Sequence, residues 1–121
     1  MSKRILVVED QEDNRQILRD LLSSAGYEMT EAWDGEAGVN AAKEQRPDLI
    51  LMDIQLPVMD GYEATRRIKS DRELKNIPVV VVTSYALSGD DSKAGTAGCD
   101  AYVTKPYSPR QLLAKIREFL P

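Results

Sequence analysis

The chain has 121 residues, of which 42% are hydrophobic and 30% are charged, and these values are typical of one soluble globular domain. Its 16 basic and 20 acidic residues give a net charge of −4, which offers no electrostatic basis for binding nucleic acid or an anionic membrane. The absence of histidine excludes serine-histidine and cysteine-histidine catalysis and zinc sites built on imidazole. Any chemistry must therefore use carboxylates, lysine, hydroxyls and bound metal.

The first half of the chain has the pattern strand, helix, strand, helix. Ile5–Val8 is continuously apolar, as in a strand covered on both faces, and is too short for a signal peptide or a membrane span. A helix follows, ends at Gly26 as its C-cap, and has one apolar stripe. The residues of that stripe are Ile17, Leu18, Leu21, Leu22 and Ala25. Tyr27–Ala32 mixes apolar and polar residues, which predicts an edge strand, and an Ala-rich helix then stops before Pro47.

The second half continues the alternation. Leu49–Met52 and Val79–Val82 are two more apolar runs of inner-strand character, and the short Ala101–Val103 predicts a second edge strand. Helices are predicted near Asp60–Lys69, Ser88–Ala97 and Ser108–Leu120. The last of them begins with serine as N-cap and proline at the first helical position.

Five β-α units in one domain, residues 1–121, predict a doubly wound parallel sheet between two layers of helices, which is a flavodoxin-like α/β sandwich. The order 2-1-3-4-5 places the second and fifth strands at the edges, as their composition requires. Ligands of such sheets bind outside the carboxyl ends of the strands, where the strand order reverses. We therefore expect the function to lie after the first and third strands.

Polar residues directly follow the predicted strands at that edge of the sheet. They are Glu9-Asp10, Asp53, Thr83-Ser84 and Thr104-Lys105-Pro106. Clustered carboxylates repel one another unless a cation lies between them, and Mg²⁺ prefers such oxygen ligands together with phosphate. Asp53 is then placed to attack phosphorus as a nucleophile, while the metal and Lys105 stabilise the transferring oxygens and Thr83 hydrogen-bonds the new group.

Four segments, in this order and spacing, resemble the receiver domain of bacterial two-component response regulators, in the stand-alone form similar to chemotaxis regulators. The segments are Ile5–Asp10, Pro47–Pro57 with Met59–Gly61, Val82–Ser84 and Tyr102–Pro106. The resemblance covers essentially the whole chain. It implies phosphorelay signal transduction, in which a protein without histidine accepts a phosphoryl group from a phosphohistidine on a partner.

The resemblance also assigns a role to individual residues. Asp53 is implied to be the phosphoacceptor. Mg²⁺ is implied to bind the side chains of Asp10 and Asp53, the backbone carbonyl of Gln55 and, through water, Glu9. These ligands are all oxygen atoms, as the metal requires.

Further roles concern the switch and the lifetime of the phosphoryl group. Thr83 and Tyr102 resemble the family's switch pair, in which the hydroxyl moves to the phosphoryl group and the ring turns inward. The Lys105–Pro106 peptide bond is implied to be cis. Gln55 and Tyr85, each two residues after a site residue, flank the path of an attacking water. We predict that Tyr85 slows self-dephosphorylation, which the decay rate of phospho-Asp53 would measure.

The expected partners are a sensor histidine kinase or histidine phosphotransfer protein and a downstream protein target. The resemblance implies that the donor contacts the first helix and the loop after Lys105. It implies that the target contacts the region of Ser88–Ala97, the fifth strand and the last helix. We expect a cytoplasmic protein, because Cys99 is a single cysteine, and a monomer or weak dimer that binds neither nucleic acid nor membrane. It is not expected to be an enzyme, although it catalyses its own phosphorylation and slow dephosphorylation. Trp33 is predicted to serve packing or surface only.

Alternative interpretations are less consistent with these residues. A flavin-binding domain needs a hydroxyl- or glycine-rich phosphate loop after the first strand, where acidic residues stand. An aspartyl-phosphate phosphatase needs a second carboxylate two residues after the nucleophile, where Gln55 stands. A constitutive pseudo-receiver would not need the intact acidic and lysine residues. The start at Met1 favours a stand-alone receiver, and a receiver fragment of a hybrid histidine kinase is the alternative.

Overall fold

A parallel five-stranded sheet forms the centre of the computed structural model, which describes residues 2–83 and 98–121. The strands are β1 (Arg4–Val8), β2 (Glu28–Ala32), β3 (Leu49–Asp53), β4 (Val79–Thr83) and β5 (Ala101–Thr104). Their order is β2-β1-β3-β4-β5, which confirms the predicted topology and the two predicted edge strands. Each strand differs from its predicted span by one residue at one end.

Helices cover both faces of this sheet. They are α1 (Glu12–Ser24), α2 (Gly35–Gln45), α3 (Gly61–Ser70) and α4 (Pro109–Phe119). Ser108 begins α4 with a capping box. The C-cap of α1 is Ala25, one position before the predicted cap, Gly26, which follows it at φ +89°. The predicted helix Ser88–Ala97 lies outside the described residues. Among the helices described, none is long and apolar enough to cross a membrane.

Two hydrophobic cores lie on opposite faces of the sheet, because successive residues of a strand point to opposite sides. Leu6 and Ile50 belong to the core beneath α2 and α3, whereas Ile5 and Leu49 belong to the core beneath α1 and α4. All four are 0% exposed. Each such side chain stabilises the fold by about 1.5–3 kcal/mol. This burial on both faces explains why the inner strands have no alternation of polar and apolar residues.

The buried face of α1 differs from the predicted stripe. Leu18 and Leu22 are buried as expected, but Ile17 is 59% exposed. Arg15 is instead 5% exposed and lies three and seven residues before the two leucines, on the same side of the helix. Adjacent residues on a helix point about 100° apart, so a face centred on Arg15, Leu18 and Leu22 turns Ile17 toward solvent.

Candidate functional site

The sheet register brings the ends of β1 and β3 side by side. Val8 pairs with Met52, so Glu9 follows β1 next to Asp53, the last residue of β3. On the other side, Asp53 pairs with Val82, and Thr83 pairs with Thr104. Residues that are far apart in sequence thus meet at one edge of the sheet, as the strand order predicts.

Three carboxylates lie together at this edge. Oxygen atoms of Glu9, Asp10 and Asp53 all lie within 4.8 Å of one another. Glu9 and Asp53 are buried, at 4% and 7% exposure, whereas Asp10 is exposed. Burial raises the pKa of the Glu9 carboxyl to about 7, the N–H of Gln11 opposes that rise, and the Asp53 carboxylate adds to it. A cation at this cluster would remove the repulsion.

Lys105 is the cation that the described residues bring to Asp53. Its Nζ lies 3.4 Å from Asp53 Oδ2 and 3.7 Å from Glu9 Oε1. The side chain is 28% exposed, so it remains accessible to a group that approaches Asp53. The peptide bond between Lys105 and Pro106 is cis. A compact ammonium group at this distance stabilises negative charge that develops on oxygens beside the carboxylate.

The loop after β3 closely approaches Asp53. The N–H of Gln55 donates to Asp53 Oδ1 at 3.4 Å, and the N–H of Gly61 donates to the carbonyl oxygen of Ile54 at 3.0 Å. A Cβ atom at Gly61 would lie 2.0 Å from the carbonyl oxygen of Asp53, so only glycine fits there. Val58 lies at φ +69° and is 77% exposed, which is a strained conformation for a β-branched residue.

The other predicted site residues lie toward β4 and β5. Thr83 ends β4 beside Thr104, which places its backbone at the same edge as Asp53. Tyr102, on β5, is 40% exposed. Tyr85 and Ser84 lie outside the described residues. Their predicted roles therefore stay predictions.

The donor set fits a hard divalent cation. Three carboxylates at two neighbouring strand ends supply oxygen ligands, and those of Glu9 and Asp53 are buried. The Lys105 ammonium lies more than 3 Å from both buried carboxylates. Mg²⁺ binds through one or two carboxylates and keeps open positions for water or phosphate. Asp10 and Asp53 are therefore suited to hold the ion, and Glu9 can act directly or through water.

A cleft of about 470 Å³ opens beside these charged groups. Its lining includes Glu9, Asp53 and Lys105 as well as the apolar side chains of Ile17 and Tyr107. The exposure of Ile17 is explained by this position, because the residue faces the cleft and not the core. A group outside the protein can reach the Asp53 carboxylate through this cleft.

Arg15 is the residue of this region that the sequence analysis did not identify. Its guanidinium is buried, and Nη1 donates to the carbonyl oxygen of Glu9 at 2.9 Å. The signal in the sequence is an arginine three residues before Leu18, on the face of α1 that packs against the sheet. That spacing indicates burial but does not identify the acceptor.

The sequence matches the family model for the response regulator receiver domain over residues 5–117. The polar-differentiation response regulator DivK of Brucella anthropi is 43% identical over 120 residues, which cover 99% of this chain and 98% of that protein. Its counterpart in Brucella ovis is 42% identical with the same coverage.

Solved structures show the same similarity. The receiver domain of sensor histidine kinase PA1611 from Pseudomonas aeruginosa PAO1, with magnesium coordinated in its active-site cleft, is 37% identical, with a TM-score of 0.92. The match covers 99% of this chain and 98% of that one. Chemotaxis protein CheY4 of Vibrio cholerae has a TM-score of 0.92 at 27% identity, covering 98% of this chain and 99% of that one.

Proposed function

Because this chain belongs to the response regulator receiver domain family, whose members act in phosphorelay signal transduction, we propose that Asp53 is its phosphoacceptor. The phosphoryl group comes from a phosphohistidine on a partner protein, and the modified carboxylate switches the binding of a downstream target. The observation that carries this proposal is the position of Asp53 beside the Glu9 and Asp10 carboxylates and 3.4 Å from the Lys105 ammonium.

The chemistry is a displacement at phosphorus. A lone pair of an Asp53 carboxylate oxygen forms the new O–P bond while the P–N bond to the partner's imidazole breaks, and the imidazole nitrogen keeps that electron pair. Lys105 donates to the phosphoryl oxygens, and Thr83, at the end of β4, hydrogen-bonds the group after transfer. The histidine therefore belongs to the partner, which is consistent with its absence from this chain.

Divalent metal completes the site. Asp10 and Asp53 would hold Mg²⁺ with their side chains, the backbone carbonyl of Gln55 would be a further ligand, and Glu9 would contribute through water. When bound, the ion supplies positive charge that lets an anionic donor approach an anionic carboxylate. We also propose a role for Gln55 and Tyr85 in setting the lifetime of the acyl phosphate, so that the protein acts as a switch with slow self-dephosphorylation and not as an enzyme.

The two faces next to the site have different partners. The donor, a sensor histidine kinase or phosphotransfer protein, contacts α1 and the loop after Lys105, where the cleft opens. The target contacts β5 and α4, where Tyr102 turns inward with the movement of Thr83. The protein works in the cytoplasm as a monomer or weak dimer, and a charge of −4 favours protein partners over nucleic acid or membrane.

The test is incubation with acetyl phosphate and Mg²⁺, followed by intact-mass analysis. We expect the mass of one phosphoryl group to be gained, to be lost on treatment with hydroxylamine, which cleaves acyl phosphates, and to be absent when EDTA removes the metal. If neither acetyl phosphate nor a phosphohistidine donor gives this gain, the proposal fails, and constitutive partner binding becomes the account of the protein.

Replacing Lys105 with methionine is expected to slow phosphorylation of Asp53 by about 100-fold, because the variant loses the donor nearest to the developing charge. The measurement is the rate of mass gain at fixed acetyl phosphate and saturating Mg²⁺. Lys115→Met is the matched control, since Lys115 pairs with Glu118 on α4. Equal phosphorylation rates in the two variants would show that Lys105 does not take part in the transfer step.

A further inference from the structure

Arg15 joins three segments of the chain through one buried guanidinium. Nη1 donates to the carbonyl oxygen of Glu9 at 2.9 Å, and Nη2 donates to the carboxylate of Glu12 at 2.6 Å. Nε lies 3.0 Å from Oε1 of Glu31, an ion pair without the angle of a hydrogen bond. The end of β1, the first turn of α1 and β2 thus meet at a side chain that is 6% exposed.

The contact with Glu9 fixes the backbone that leads into the acidic cluster. The N–H of Glu9 donates to the carbonyl oxygen of Ala32 at 3.0 Å, and its carbonyl accepts from Arg15. The peptide unit between Glu9 and Asp10 includes that carbonyl, so its plane is held by the guanidinium. Because a side chain follows the orientation of its own backbone, the direction of the Asp10 carboxylate depends on this hydrogen bond.

Trp33 covers the guanidinium from outside. The Arg15 Cζ atom lies 4.9 Å from the centroid of the Trp33 ring, while Trp33 itself remains 63% exposed. The guanidinium of Arg15 is therefore shielded from water, although the ring that covers it is itself largely exposed. Exclusion of water strengthens the hydrogen bonds of a buried cation, and the face of the Trp33 ring adds a cation–π attraction.

We propose that Arg15 is a positioning residue for the divalent-cation site and that Trp33 supports this role by shielding the guanidinium from water. The inference rests on the proposed metal site of Asp10 and Asp53. It assigns a function to a tryptophan and an arginine that, among the described residues, form no hydrogen bond or ion pair with the carboxylates of Glu9, Asp10 or Asp53. Some residues hydrogen-bond to a metal ligand and so fix its orientation. Replacing such a residue commonly weakens metal binding by about tenfold or more.

Simple electrostatics predicts the opposite sign, which makes the proposal testable. A guanidinium beside an acidic cluster repels a metal cation, so removal of its charge alone would tighten metal binding. Loss of positioning would weaken metal binding. The direction of the change in affinity therefore separates the two effects.

The experiment measures the dissociation constant of Mn²⁺, as a paramagnetic probe of the site, by water-proton relaxation. Arg15→Met is expected to bind Mn²⁺ about tenfold more weakly than the wild type. Arg19→Met is the matched control, because Arg19 lies on the same helix as Arg15 and also pairs with Glu12 and with Glu31 of β2. Among the described residues it has no contact with Glu9. We expect the control to stay within twofold of the wild type.

Three further variants keep the test decisive if Arg15→Met folds poorly. Arg15→Lys retains one donor toward the Glu9 carbonyl and should recover part of the affinity. Trp33→Ala should weaken Mn²⁺ binding about threefold, whereas Trp33→Phe keeps a ring and should stay near the wild type. Thermal unfolding of each variant shows that affinity is measured on folded protein, and a role in folding alone would lower the melting temperature without changing the affinity of the folded form.

The outcomes distinguish this inference from the proposed function. If the wild type binds no Mn²⁺, or if Asp10→Asn binds it equally well, the metal site itself is wrong. If Asp10→Asn loses binding while Arg15→Met and Trp33→Ala bind as tightly as the wild type or more tightly, the metal site stands and the positioning role is overturned.

Discussion

Asp53→Asn is expected to take up no phosphoryl group from acetyl phosphate under conditions in which the wild type gains one. Asparagine has nearly the same shape, so the end of β3 and its packing persist. Its carboxamide lacks the anionic oxygen that attacks phosphorus, and an acyl phosphate cannot form on it. Intact-mass analysis after equal incubation with Mg²⁺ gives the result directly.

Asp60→Asn is the matched control for this variant. Asp60 lies in the loop after Asp53, and its carboxylate caps α3 by accepting from the N–H of Glu63 at 2.9 Å. Asparagine caps helices equally well, so the control should be phosphorylated like the wild type. A mass gain that persists in Asp53→Asn would show that another carboxylate accepts the phosphoryl group. Glu9 and Asp10 are then the neighbours to replace next.

Gly61→Ala is expected to lower the free energy of unfolding by about 3–4 kcal/mol, which is at the high end for a single methyl group. The added Cβ would lie 2.0 Å from the carbonyl oxygen of Asp53 and 2.9 Å from the Cα atom of Ile54. These neighbours are backbone atoms of β3 and the residue after it, so no side chain can rotate to make room. Urea unfolding followed by circular dichroism measures the change.

Gly26→Ala separates this clash from ordinary glycine strain. Gly26 lies at φ +89° after α1, and a Cβ there would meet nothing within 4 Å. Its replacement should therefore lower stability by only about 1 kcal/mol, the usual effect of a side chain in the left-handed region. Equal losses in the two variants would mean that the loop after β3 moves away from α3 without difficulty.

The sheet order could be predicted because the amino-acid composition of each strand indicates whether it lies inside the sheet or at its edge. Val79–Val82 can be buried only when both faces are covered, while the polar residues of β2 fit an edge. The meeting of Asp53 and Lys105 followed from this order, since the carboxyl ends of parallel strands lie at one edge. Local residue types were sufficient for both predictions.

Other features depend on contacts that no local pattern contains. Arg15 was not recognised as buried because an arginine on a helix is normally exposed, and here a tryptophan from a different segment covers it. Ile17 matched the helical stripe but faces the cleft, which depends on how α1 packs on the sheet. The left-handed backbone of Val58 is imposed by the loop around it, against the preference of the residue itself.

The close approach of α2 to the loop after β3 also limits how this protein can diverge. A Cβ at Gly35 would lie 1.9 Å from the carbonyl oxygen of Met59, and a Cβ at Gly61 would lie 2.0 Å from that of Asp53. The first residues of two consecutive helices, α2 and α3, thus lie against this part of the backbone with no side chain of their own between. Descendants of this chain can exchange the exposed Val58 freely, but a change at Gly35 or Gly61 requires a compensating shift of the loop that follows Asp53.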